Sequence, residues 1–130
     1  MISESELIKL SYPEAPKMVT RVPGPKVQKL MAESARYEAM TRGGGNAPII
    51  MEEGRGSTVK DPDGNIFIDM AAGVAVNSVG RSHPKILETI KHQCNLIMHT
   101  TDVTNPKRIE LAKRISGIMP EGLRGNLVRF

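Results

Sequence analysis

A chain of 130 residues is long enough for one domain with a core, but only 39% of it is hydrophobic and 3% aromatic, with no tryptophan. Eight methionines serve as flexible fillers for the missing rings, and the core they build is soft and expected to need something to pack against. The formal charge of +4 comes from lysines and arginines spread along the chain, often near glutamates, so nothing gathers the basic face and stacking aromatics that nucleic acid binding requires.

The single cysteine, Cys94, excludes an internal disulfide framework and suits a reducing cytoplasm. No apolar run approaches the roughly 20 residues of a membrane helix. Glu4 and Glu6 stand where a secretory signal would need apolar residues. The expectation is a soluble cytoplasmic protein with neither nucleic acid nor membrane among its partners.

Residues 1–23 are polar and broken by Pro13, Pro16 and Pro23, which forbid a continuous helix. They form either a loose terminus or an extended arm that docks on a neighbouring subunit through Leu7, Ile8, Leu10, Tyr12 and Met18. Residues 24–46 are a helix and a hinge. Pro25 opens the helix, where its missing N–H is no loss. Val27, Leu30, Met31, Ser34 and Met40 recur at helical spacing to about Thr41, and Gly43-Gly44-Gly45 ends it. No helix follows the glycines to supply a positive N-terminus, so a hinge is preferred over a phosphate loop.

Residues 47–80 read as a β-meander and a loop of small residues. Ile49, Ile50 and Met51 are a strand candidate, and Glu52-Glu53-Gly54-Arg55-Gly56 a turn. Gly54 and Gly56 begin a G-x-G, but Val59 stands where the third glycine belongs, so the dinucleotide fingerprint fails. Ser57 to Lys60 and Ile66 to Asp69 flank Asp61-Pro62-Asp63-Gly64-Asn65. There Pro fixes φ, Asp tolerates tight geometry and Gly supplies positive φ, which predicts a β-hairpin. The following run of Ala, Gly, Val, Asn and Ser lets backbones approach closely or leaves room for a ligand.

Residues 81–125 are a helical segment. Ser82 can cap and Pro84 start a helix whose stripe is Ile86, Leu87, Ile90, Cys94, Ile97 and Met98. Cys94 lies in that stripe and is expected to be buried and inert. A further helix starts behind Thr104 or Asn105 with Pro106 in its first turn. Ile109, Ala112, Ile115 and Ile118 face inward, Glu110 and Arg114 pair at i,i+4, and Pro120 and Gly122 close it. Residues 126–130 read as the opening of a strand, an unusual place for a domain to stop.

Little catalytic chemistry is visible. His92 and His99, seven residues apart, rise about 10 Å along a helix and cannot share one zinc; His83 suits a structural hydrogen bond. Ser82 and His83 are adjacent, and no G-x-S-x-G elbow is present. Asp61 and Asp63 are explained by their turn, and Asp69 is read as hydrogen-bonding the loop that follows. No metal site and no catalytic residue is expected.

The run Asp61-Pro62-Asp63-Gly64-Asn65-Ile66-Phe67-Ile68-Asp69, then Ala72-Gly73-Val74-Ala75-Val76, then Gly80-Arg81-Ser82-His83-Pro84 resembles the class III aminotransferases of the ornithine, acetylornithine and 4-aminobutyrate type. The similarity extends through Gln93, His99, Pro106, Leu111 and Pro120, and back to Pro23-Gly24-Pro25-Lys26, which also resembles related amino-acid racemases. The resemblance implies an α/β enzyme of fold type I with pyridoxal 5'-phosphate, working as a homodimer or higher homo-oligomer on amino acids and 2-oxo acids. This segment would then be its α+β N-terminal part, with residues 126–130 opening a large-domain strand. Gly73, Val74 and Ala75, with Val103 in a second loop, would line the substrate pocket. Arg81 departs from the family's usual His and is placed outside the chemistry. The family is roughly three times as long, and its Schiff-base lysine matches none of Lys60, Lys85 or Lys91; it would lie beyond Phe130. The chain alone is therefore expected to be inactive. A racemase, or a truncated oligomerisation module without catalysis, is the alternative.

Overall fold

The turn Asp61-Pro62-Asp63-Gly64-Asn65 organises the surroundings of a three-stranded antiparallel meander, β1 (Glu53–Arg55), β2 (Thr58–Lys60) and β3 (Ile66–Ile68). The structure is a computed structural model that describes residues 6, 9–39 and 47–129. Leu7, Ile8, Met40, Thr41, the glycine triplet and Phe130 lie outside the described residues, and the first helix, expected to run to about Thr41, ends at Tyr37, where Glu38 turns extended. The chain divides into two compact units, one up to Glu88 and one from Thr89 onward.

In the first unit β2 pairs with β3 as Thr58↔Ile68, Val59↔Phe67 and Lys60↔Ile66, across the five-residue turn expected from its chemistry. The other side of β2 differs from the sequence reading. Residues 49–51 form no strand, and Glu53–Arg55, read as part of a turn, is β1, with Glu53 opposite Lys60 and Arg55 opposite Thr58. The turn proper is the two-residue Gly56-Ser57, with Gly56 at φ +54°, which two-residue hairpins favour because their turns need positive φ. Glu53 and Lys60 reinforce that register with a 3.0 Å ion pair across the strands.

Residues 9–24 lie along this meander. Lys17 exchanges two backbone hydrogen bonds with Ile66, of 2.9 and 2.7 Å, and so covers one point of the outer edge of β3. Tyr12 donates its amide to Thr58 Oγ1 and its hydroxyl to Glu53. Asn65, fully buried, accepts the amides of Val19 and Thr20 on Oδ1 and donates from Nδ2 to Thr20 Oγ1 and Asp61 Oδ2. Its side-chain amide is thus saturated. Asp61, equally buried, accepts the amides of Asp63 and Asn65 on its other oxygen.

Helix α1 (Pro25–Tyr37) is anchored by the same turn. Its N-cap position is Gly24, which has no side chain to cap with. Asp63 accepts the amides of Lys26 and Val27 at 3.0 and 2.9 Å instead, satisfying two of the donors every helix start leaves open. A Cβ on Gly24 would come within 2.4 Å of the Asp63 side chain, so glycine is what lets the carboxyl group reach. Among the described residues Val27, Val59 and Ile66 are the buried apolar side chains, and Thr58, Asp61 and Asn65 are buried polar ones.

After a loop containing the short turn α2 (Ala72–Ala75), helix α3 (Pro84–Cys94) crosses into the second unit, where α4 (Pro106–Ile118) follows. Asn105 caps α4 by accepting the Arg108 amide, and Glu110 takes Lys107 and Arg114 as ion partners. The α3 stripe is exposed rather than buried, and Cys94 with it. An amphipathic pattern marks the face that can be covered, and no described element packs across this one. On α4, Ala112 and Ile115 are half-buried, whereas Ile109 and Ile118 are exposed. Residues 126–129 carry no regular structure. Among the described residues no helix is long and apolar enough to cross a membrane.

Candidate functional site

The loop of residues 70–80 leaves the sheet at the end of β3 and returns to it at the β1–β2 turn. Its entry is fixed by the Asp69 amide, which donates to Ser57 O at 2.8 Å, and its exit by Arg81, which exchanges two backbone hydrogen bonds of 2.8 and 2.9 Å with Gly56. The two ends are joined by side chains. Asp69 Oδ2 accepts Arg81 Nε at 3.1 Å and Nη2 at 2.9 Å, while Oδ1 accepts the amides of Ala71 and Ala72, both at 2.9 Å. The Asp69 side chain is 6% exposed. Burial alone would raise its carboxyl, but the bonds from Ala71, Arg81 and Ala72 outweigh that and hold it below the ordinary carboxylate range.

Gly54 and Gly80 make this closure sterically possible, and Gly56 lets the arm approach the same turn. A Cβ on Gly54 would sit 2.4 Å from Arg81 Cδ, one on Gly56 2.4 Å from Leu10 O, and one on Gly80 2.9 Å from Gly56 Cα. Gly54 and Gly56, which spell half of a dinucleotide fingerprint, instead let the Arg81 side chain and Leu10 of the arm, respectively, lie against the hairpin.

Between the clamped ends the chain makes a left-handed turn. Ala72, Gly73, Val74 and Ala75 have φ of 47°, 62°, 61° and 62°, closed by hydrogen bonds from Ala75 to Ala71 O and from Val76 and Asn77 to Ala72 O. Left-handed geometry costs a non-glycine residue about 1–2 kcal/mol, hence about 3–6 kcal/mol for Ala72, Val74 and Ala75 together. Strain of this kind persists where surroundings over-determine it, and it clusters at functional sites. The turn presents Val74 outward, 89% exposed.

Gly73, Val74 and Ala75, expected at a substrate pocket, thus share one strained turn. Val103 belongs to the second unit, where its amide donates to Thr100 O at 3.0 Å and its side chain is 68% exposed. A cleft of ≈ 320 Å³ in that unit is lined by Gln93, Ile97, Thr100, Asn105, Lys107 and Leu111 among others; Val103 is not one of them. His83, expected to make a structural hydrogen bond, has a buried Nδ1 with no partner among the described residues. No cluster of metal-binding side chains occurs among the described residues. The sequence reading missed Arg81 as a partner of Asp69: twelve positions separate them, and only the folded hairpin brings them together.

Comparison with known proteins adds what the geometry cannot. The family model "Aminotransferase class-III" matches residues 39–128. An acetylornithine aminotransferase from Methanothermobacter thermautotrophicus is 43% identical over 74 residues, covering 56% of this chain. An alanine/serine racemase from Pyrococcus horikoshii is 34% identical over 117 residues, covering 88%. The chain spans only 19% and 24% of the lengths of these two relatives. Among solved structures, an adenosylmethionine-8-amino-7-oxononanoate aminotransferase from Methanocaldococcus jannaschii superposes with a TM-score of 0.63 and 28% identity, over 72% of this chain and 23% of that one.

Proposed function

The chain belongs to the class III aminotransferase family, and on that premise we propose that it is the N-terminal part of a pyridoxal-phosphate enzyme moving an amino group from an amino acid of the acetylornithine, ornithine or 4-aminobutyrate type to a 2-oxo acid. Its fold class is that of the fold type I enzymes, of which the described residues are a small α+β segment. The observation that carries the reading is the position of the strained turn: inside the family match, clamped at both ends, with Val74 turned outward. Gly73, Val74 and Ala75 are assigned to the wall of the substrate pocket, and Val103 to a second loop beside it. The intact enzyme is taken to be a cytoplasmic homodimer or higher homo-oligomer, in keeping with the single unpaired Cys94.

The family resemblance puts the Schiff-base lysine, which condenses with the cofactor's aldehyde, beyond Phe130; of the lysines described, Lys60 is paired with Glu53, Lys107 with Glu110, and Lys26 Nζ donates to Pro62 O. No chemical step through pyridoxal phosphate is assigned to this chain. Alone, it is expected to trap no cofactor on borohydride reduction; a stable adduct would overturn that.

The racemase relative, aligned over most of the chain, favours a second reading: an amino-acid racemase of the same family. The two separate cleanly. Incubated with an amino acid alone, an aminotransferase stops after one half-reaction, and a racemase interconverts the enantiomers indefinitely. Sustained turnover only when a 2-oxo acid is supplied supports the first; sustained turnover without one sinks it.

A further inference from the structure

The geometry points to Asp69 and Arg81 as positioning residues: their ion pair holds Ala72–Ala75 in its left-handed form and so sets where Gly73, Val74 and Ala75 meet the substrate. This rests on the reading of that turn as pocket wall. Asp69 divides its two oxygens between two tasks, Oδ1 holding the first amides of the loop and Oδ2 holding Arg81. Arg81 is in turn fastened to the β1–β2 turn by its backbone, through Gly56. The carboxylate therefore transmits the position of the sheet to the start of the turn.

The Asp69 amide's bond to Ser57 O fixes the backbone only at the entry, ahead of the turn. Met70, Val74 and Val76 point into open space, each more than three-quarters exposed, so side-chain packing does not hold the turn against its unfavourable dihedrals. Exposed ion pairs contribute little, but this carboxylate is almost wholly buried and takes two guanidinium donors, the geometry in which arginine is not replaceable by lysine. Substitution by Asn breaks half of the device whichever way the amide is turned. Its NH2 group faces either the guanidinium or the loop amides.

The test has two arms. In this chain, the intraresidue amide–Hα NOE and coupling constants of Ala72, Val74 and Ala75 report positive φ directly. Arg81→Ala and Asp69→Asn should both abolish the positive-φ signature while the cross-strand NOEs of β2 and β3 persist; Arg81→Lys should restore it only in part. A merely stabilising ion pair would lower the melting temperature and leave the dihedrals unchanged, and that result overturns the inference. Should Arg81→Ala fail to fold, Asp69→Asn decides alone.

In the intact enzyme, Arg81→Ala should lower kcat/KM for the amino donor at least tenfold, mostly through KM, approaching the roughly hundredfold effect of an ångström misplacement. Val74→Phe tests the underlying reading separately. If it leaves donor preference unchanged, the pocket assignment fails, and the NOE arm still decides the clamp. If it shifts preference while Arg81→Ala frees the turn without raising KM, the positioning role is refuted and the pocket stands.

Discussion

Replacing Asp61 with alanine should release the first unit's arm and hairpin together. Three donors point at this carboxyl group: the amide of Asp63 at 3.0 Å, the amide of Asn65 at 2.8 Å and Asn65 Nδ2 at 2.8 Å. The last two are buried, and a buried donor left without a partner costs about 1–3 kcal/mol. With a smaller share from the part-buried Asp63 amide, the loss comes to about 3–7 kcal/mol, against a total of about 5–15 for a whole domain. Amide exchange resolves it by residue. At about 1.36 kcal/mol per factor of ten, protection at Ile66 and Lys17 should fall by about 10² to 10⁵, while α4 in the second unit serves as the internal control. Asp61→Asn keeps one acceptor for the two backbone amides and sets its NH2 against that of Asn65, so it should lose about a third as much. A fall of less than tenfold at Ile66 in the alanine variant, or an equal fall in α4, would refute the reasoning.

Asp63→Ala removes the borrowed cap of α1 and should cost about 1 kcal/mol, read as faster exchange at Lys26 and Val27 with the sheet untouched. Tyr12 and Glu53 give arm docking a window of pH. The Tyr12 hydroxyl is held above its ordinary range by the hydrogen bond to Glu53, so that contribution is present below the unfolded tyrosine value and is lost as pH rises through the folded one. Glu53 is held below its ordinary range by Tyr12 and then Lys60, so its contribution is complete at neutral pH and lost in acid, below about pH 4. Protection at the Tyr12 amide should therefore decline on both sides, and Tyr12→Phe should remove the alkaline decline. Gly80→Ala places a Cβ 2.9 Å from Gly56 Cα at φ +86°. It should destabilise the loop closure by about 1–2 kcal/mol or more, seen as loss of protection at Arg81 and Gly56.

What the sequence disclosed depended on whether the governing interaction was local. The turn at residues 61–65 was legible because its geometry is dictated by Pro62 and Gly64 themselves, and the caps of α4 because Asn105 and Pro106 adjoin the helix they start. Strand β1 was misread although a signal existed: Gly56-Ser57 separates Glu53-Gly54-Arg55 from Thr58-Val59-Lys60, with opposite charges at the paired ends. The Asp69–Arg81 clamp left no such trace, since it exists only after the hairpin has closed. The stripe on α3 was read as one face of a helix, but the burial expected of Cys94 from its place there is not found: the thiol is exposed. Periodicity states which residues lie together on a helix, not what lies over them. Gly73, Val74 and Ala75 were singled out by family resemblance, but their left-handed conformation was not visible, because alanine and valine are the residues least expected there.

The attachment of the arm is a matter of polar geometry more than of apolar burial, and Asn65 is where the two accounts diverge. On an apolar account, Asn65→Leu places a hydrophobic side chain of similar size at a fully buried position and should stabilise the unit. On the polar account, it strips acceptors from the amides of Val19 and Thr20 and a donor from both Thr20 Oγ1 and Asp61 Oδ2. Three directional bonds from the arm to one amide, with the fourth fixing that amide to Asp61, admit one register of the arm, whereas an apolar contact is not directional. The expected result is selective. The Val19, Thr20 and Lys17 amides lose protection while the pairing of β1 with β2 is retained, and the arm becomes the preferred site of limited proteolysis. A leucine variant with equal or greater protection at Lys17 would show that burial alone seats the arm. The saturated amide would then be a consequence of docking rather than its cause.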